Sequence, residues 1–261
     1  MGVTMAPVGA RDATVMDETD LLGLKIHRVR VADALAFMEE RIRERNPIHV
    51  VTADASMVVL AREDPDLHDI VNRAELVTPD GSGILWASKL LKRPIDERVS
   101  GVDLVAQMCR LSADPQKAYR IYFLGAAPGV AEAAADKLRE KYPGARIVGT
   151  RNGYFEASDE TAIVRDIAAL KPDIVFVAFG IPKQEKFIDR HRGEIGASVY
   201  VGVGGSFDVY SGLVRRAPAW MQNAGLEWVY RLCQNPRKIS KVMTLPRFAI
   251  LAIRARLGLR S

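Results

Sequence analysis

The feature that most constrains this chain is a set of short apolar runs, several of them β-branched throughout, alternating with longer stretches of helical period. Ile174-Val175-Phe176-Val177-Ala178-Phe179 and Val199-Tyr200-Val201-Gly202-Val203 are the clearest. A strand with no polar face must be covered on both sides, which is the condition of a parallel sheet between helices. The pattern predicts strands at 22–27, 48–52, 76–78, 120–124, 146–148, 174–179 and 199–203. Between them it predicts helices at 31–45, 56–62, 83–91, 102–111, 130–141, 160–170 and 183–190. Pro128-Gly129 and Pro182 stand at helix starts, where a missing N–H costs nothing. The class is therefore α/β, a Rossmann-like, mostly parallel sheet flanked by helices.

After residue 203 the alternation stops. Turns at Gly204-Gly205-Ser206-Phe207-Asp208 and Arg215-Arg216-Ala217-Pro218 lead into short helices divided by Pro236 and Pro246. The expected organisation is a flexible start at 1–20, an α/β core at 21–211 and a basic helical appendage at 212–261. Charge follows the same division. Residues 228–261 hold eight basic side chains and no acidic one, while the rest carries 29 basic against 32 acidic. A basic block attracts phosphate esters, anionic headgroups or nucleic acid without choosing among them. No uncharged run exceeds 13 residues (195–207), well short of the roughly 20 needed to span a bilayer. Two cysteines without metal or disulfide spacing suit a reducing, cytoplasmic setting.

In open parallel sheets ligands bind beyond the carboxyl ends of the strands. Four such ends carry useful groups. Thr52-Ala53-Asp54 offers a hydroxyl and a carboxylate, and Thr78-Pro79-Asp80-Gly81 a second carboxylate before a glycine turn. Gly125-Ala126-Ala127-Pro128-Gly129 supplies small residues through which backbone N–H groups approach a phosphate. Gly180-Ile181-Pro182-Lys183-Gln184-Glu185 adds amide and charge. Each also has a plainer use: Asp80 as a helix cap, Thr52 as strand packing, Gln184 as a solvated helix start. Asp64-Pro65-Asp66 imitates a metal-binding pair but reads as a helix start, and four scattered histidines show no ligand spacing. No metal and no cofactor are expected.

The joint order of these segments resembles the WecG/TagA/CpsF glycosyltransferases from about residue 22 through the basic tail. The match runs through Thr52-Ala53-Asp54-Ala55, Leu76-Val77-Thr78-Pro79-Asp80-Gly81 and Arg98-Val99-Ser100-Gly101-Val102-Asp103. It continues through Asn152-Gly153-Tyr154, Gly180 to Glu185, Gly204 to Asp208, Arg216-Ala217-Pro218 and Gly225-Leu226-Glu227-Trp228. The resemblance implies transfer of a sugar, commonly of N-acetylmannosamine type, from a UDP-sugar donor to an undecaprenyl-diphosphate-linked sugar acceptor. It makes Asp80 the candidate general base and Thr52 a contact to the reacting groups. It places Asp54 and Gly125 at the substrate, Tyr154 and Asp208 at the nucleoside and Gln184 near the donor. Arg231, Lys238 and Lys241 would face the diphosphate. Many members have asparagine where this chain has Asp54, which bears on donor choice or adds a second carboxylate near the base.

Basic residues near an anionic membrane surface contribute about 1 kcal/mol each. Phe248, Ile250, Leu251, Ile253 and Leu257 could enter its interface, so a peripheral position on the inner face of the membrane is expected. The same apolar residues would also suit a homo-oligomer. Two rival readings stand beside the transferase. A nucleotide-sugar epimerase or dehydrogenase would need a dinucleotide-binding glycine fingerprint, which the chain lacks. A nucleic-acid-binding module would use the basic tail, but aromatic residues suited to stacking are few, so no nucleic acid is expected as partner.

Overall fold

A computed structural model describes residues 16–218, 220–221, 229–230, 233 and 243–259. It opens on an antiparallel hairpin of β1 (Glu18–Leu21) and β2 (Leu24–His27). The turn, Leu22-Gly23, has φ of 59° and 94°. Glycine accepts such a turn at no steric cost, so the chain doubles back here. The expected strand at 22–27 is therefore half of a separate two-stranded sheet. A bond of 2.9 Å from the Val77 N–H to His27 Nδ1 ties that hairpin to the main sheet. The first strand thus begins at Glu18, before the expected core boundary at 21, and residues 1–15 of the expected flexible start lie outside the described residues.

Next come α1 (Val31–Glu44), β3 (Ile48–Ala53), α2 (Ala55–Ala61), α3 (Pro65–Arg73), β4 (Leu76–Pro79), α4 (Ser82–Leu90) and α5 (Gly101–Ser112). They are followed by β5 (Ile121–Gly125), α6 (Val130–Lys141), β6 (Ile147–Arg151), α7 (Glu160–Ala169), β7 (Ile174–Ala178), α8 (Lys183–Ile195), β8 (Val199–Gly202) and α9 (Ser206–Tyr210). The six main strands are all parallel, in the order β4-β3-β8-β7-β5-β6. Successive side chains go to opposite faces. Val50, Phe123, Phe176 and Val201 meet α1, α5, α6 and α9, while Val51, Val77, Val177 and Tyr200 meet the remaining sheet helices. Coverage on both faces explains why the central strands β5, β7 and β8 are apolar along their length, whereas β6 at the edge is only partly buried. Two helices, α3 and α9, fall outside the expected ranges: Asp64-Pro65-Asp66 read as a helix start without a helix assigned to it, and α9 takes in Ser206, Phe207 and Asp208 of the expected turn. The turn at Asp64-Pro65-Asp66 opens α3, with Asp64 Oδ1 accepting the Leu67 N–H at 3.1 Å.

From β3 the chain steps outward to β4, from β5 it steps the other way to β6, and β7 and β8 return to fill the middle. In open sheets with such a reversal, ligands bind at the carboxyl edge. Part of the C-terminal region packs back onto the core as α10 (Thr244–Arg256). Phe248 and Ala252 are buried beside α2 and α4, and the Ser56 and Thr244 hydroxyls bond at 2.9 Å. Ile250, Ile253 and Leu257 face outward. The five apolar residues expected to act together are thus divided: Phe248 and Leu251 serve the core and the other three do not.

Candidate active site

Because the six strands are parallel, their carboxyl ends share one edge, and the expected residues fall along it in spatial order. Asp80 follows β4, Thr52 and Asp54 close β3, Asp208 follows β8, Gln184 follows β7, Gly125 ends β5 and Tyr154 follows β6. Arg231, Lys238 and Lys241 lie outside the described residues.

At β3 and β4 the register pairs Thr52 with Thr78 and Ala53 with Pro79, so Asp54 and Asp80 emerge side by side. The Asp80 N–H donates to the Ala53 carbonyl at 2.8 Å. Asp54 is the N-cap of α2, its Oδ1 accepting the Met57 N–H at 2.9 Å. Asp80 is not a cap. Gly81 holds the cap position of α4 with φ 89° and ψ 153°, a backbone region essentially confined to glycine. Asp80 is thereby set one residue outside its helix, and its Oδ2 accepts the Gly101 N–H at 3.3 Å at the first residue of α5. A helix start favours a carboxylate anion. Thr52, 7% exposed, donates its hydroxyl to the Gly202 carbonyl at 2.7 Å, tying β3 to β8 at the edge.

Gln184 is not the solvated helix start that its position suggested, for it is 1% exposed. Its Oε1 accepts the N–H groups of Gly180 and Gly204, at 3.1 and 3.0 Å, and its Nε2 donates to Glu185 Oε1 at 2.8 Å. It joins the loop after β7 to the loop after β8. Room for it comes from Gly202, where a Cβ would stand 2.5 Å from Nε2. Gly125 has φ 122°, and a Cβ there would meet the Ala178 backbone at 2.6 Å, so only glycine lets these strand ends close together. The following N–H, of Ala126, donates to the Ala178 carbonyl at 2.9 Å. Tyr154 is 74% exposed, on a turn in which its N–H donates to Asn152 Oδ1 at 2.9 Å. Asp208 lies on α9 beside Phe207, whose ring stacks on Phe123 at 4.6 Å and fixes that short helix to the sheet.

The sequence reading missed the chemical part played by the start of α5. Ser100 caps it, and Gly101 must be small because a Cβ would come within 3.1 Å of Val203 Cα. The Ser-x-x-Asp spacing of Ser100 and Asp103 is the signal that was available. As for metals, Asp64 is occupied by its cap and by Lys186 at 2.8 Å. Among the described residues no group of three or more His, Cys, Asp and Glu stands close enough to hold an ion. No helix among them is long and apolar enough to cross a membrane.

A doubly wound sheet with carboxylates, hydroxyls and helix starts at its switch point defines an α/β enzyme working at the carboxyl edge. The chain belongs to the glycosyl transferase WecG/TagA/CpsF family, whose model matches residues 19–261. It is similar to the N-acetylglucosaminyldiphosphoundecaprenol N-acetyl-beta-D-mannosaminyltransferase of Bacillus subtilis (strain 168), at 35% identity over 205 residues, 78% of each chain. The protein of that name from Bacillus spizizenii (strain ATCC 23059 / NRRL B-14472 / W23) is 36% identical over 205 residues, again 78% of each chain. The one from Staphylococcus aureus (strain MW2) is 33% identical over 204 residues, 78% of each. The chain is accordingly a glycosyltransferase.

Proposed function

We propose that this glycosyltransferase moves N-acetylmannosamine, or a closely related sugar, from a UDP-sugar to an undecaprenyl-diphosphate-linked N-acetylglucosamine acceptor, with inversion. The observation that carries the reading is the Asp80 carboxylate, held outside its helix at the edge of the sheet and against the start of α5. Asp80 takes the proton from the acceptor hydroxyl as that oxygen attacks the anomeric carbon, and the bond from that carbon to the UDP oxygen breaks. A positioned base of this kind contributes about 10²- to 10⁴-fold. Thr52 keeps β3 in place beside the reacting groups. Tyr154 and Asp208 hold the nucleoside, and Gln184 and Gly125 shape the donor loops. The charge gained by departing UDP is met by backbone N–H groups and by Arg231, Lys238 and Lys241 of the basic segment.

Asparagine caps a helix as well as aspartate does. Asp54 in place of the family's usual asparagine therefore adds charge beside Asp80 without changing the cap, and we assign it a part in donor choice. The outward residues Ile250, Ile253 and Leu257, with Arg254 and Arg256 on the same helix, support peripheral docking on the inner membrane face. The test is to incubate the full chain with each UDP-sugar in turn and a lipid-diphosphate-N-acetylglucosamine analogue. Release of UDP with one donor is the expected result; no release with any donor overturns the reading.

A further inference from the structure

The first turn of α5 touches two parts of the molecule that are far apart in sequence. On one side the Gly101 N–H holds Asp80 Oδ2. On the other, the Arg216 guanidinium grips Asp103 with both arms, Nη1 to Oδ1 at 2.8 Å and Nη2 to Oδ2 at 3.2 Å. Two parallel bonds from one guanidinium fix direction as well as distance, which a single ammonium cannot do. Asp103 is itself held in place, because the Ser100 hydroxyl donates to its Oδ2 at 2.6 Å. Burial opposes ionisation of Asp103, but the Arg216 fork and the Ser100 hydroxyl outweigh it and hold the carboxyl below its usual range.

The chain between α9 and Pro218 follows the same turn. Tyr210 donates its hydroxyl to the Val102 carbonyl at 2.7 Å, the Val214 N–H returns to the Asp208 carbonyl at 2.9 Å, and Ala217 is buried. Residues 203–217 thus pass around the helix start that holds Asp80 immediately before the chain enters its basic segment.

We infer that Asp103 and Arg216 form a latch which holds residues 203–217 against the start of α5 and so keeps Asp80 in place, making both positioning residues for transfer. The inference rests on the proposed role of Asp80. It fits the chemistry, since a general base acts only while its carboxylate is held within reach of the acceptor hydroxyl.

The test uses the full chain with Asp103→Asn, Arg216→Gln and the double variant. Each single change is expected to lower turnover about 10- to 100-fold with donor KM changed less than about threefold, and the double to fall no further than the worse single. Asp103→Glu, which keeps the charge, is expected to recover at least about a third of the loss on a logarithmic scale. Additive losses in the double, or no recovery by Asp103→Glu, overturn the latch. A second readout needs no substrate: trypsin cleavage beyond Pro218 should quicken severalfold in both single variants at an unchanged melting midpoint. Equal cleavage, or a midpoint that falls in step with activity, overturns the latch while leaving the transfer reading intact. Faster cleavage in variants of a parent that transfers no sugar would sustain the latch and refute the transfer reading.

Discussion

The ends of β3 and β4 lie side by side in register and carry almost the same residues, Thr52-Ala53-Asp54 and Thr78-Pro79-Asp80, yet they do different things. Asp54 turns back onto its own helix and caps it. At the second end Gly81, not Asp80, takes the cap position, and the Asp80 carboxylate accepts the Gly101 N–H of α5. One glycine after a strand therefore separates an aspartate that caps its helix from one that is the candidate general base. The two ends are also tied to different neighbours: Thr52 bonds to β8, while Thr78 donates to the Val99 carbonyl at 3.0 Å and the Val99 N–H to the Pro79 carbonyl at 2.9 Å.

The two strand ends should differ most at the base. Asp80→Ala should cut turnover about 10²- to 10⁴-fold with the fold intact by circular dichroism; a variant within a few fold of the parent leaves the two ends equivalent. Gly81→Ala tests the displacing residue. A Cβ there meets nothing within 4 Å, so any effect comes from backbone strain and not from collision. The expected cost is about 1–3 kcal/mol in denaturant unfolding, accompanied by lost turnover. An unaffected protein would show that the glycine conformation is dispensable.

At the opposite end of β3, buried His49 provides a pH control that involves neither carboxylate. Burial first, and then the nearby Arg192, push its pKa down to about 3. Because the unfolded chain binds this proton near pH 6.5 and the folded one does not, stability is lost as pH falls from about 6.5 toward 3. The slope approaches about 1.4 kcal/mol per unit within that window. Unfolding followed from pH 7 to 5 should show a shallower slope in His49→Gln; an identical slope assigns the proton elsewhere. The smallest expected effect belongs to the cap. Asp54→Ala should cost about 1 kcal/mol, and Asp54→Asn a few tenths at most. A large loss in Asp54→Asn would mean that its charge, and not its cap, holds the strand end.

How legible these features were follows from the same physics. The central strands β5, β7 and β8 could be read because burial on both faces leaves a continuous apolar signature. The hairpin could not, since Leu22 takes a left-handed φ that its side chain does not advertise. At the site, the sequence showed two aspartates before two helices and left capping and catalysis open for Asp80; only the Gly81 conformation separates them. Gln184 read as solvent-facing because its burial depends on Gly202 leaving space from another strand. In the tail the charge was visible from composition, whereas the division of its apolar residues depends on the surfaces of α2 and α4.

The most direct measurement is the ratio of turnover in Asp54→Asn to that in Asp80→Asn, taken on folded proteins with the donor that the parent accepts. Both changes remove one charge and keep the shape. The expected ratio is about 10² or more, with Asp80→Asn the inactive member. A ratio near one, or a reversed one, would contradict the assignment of the base to the end of β4.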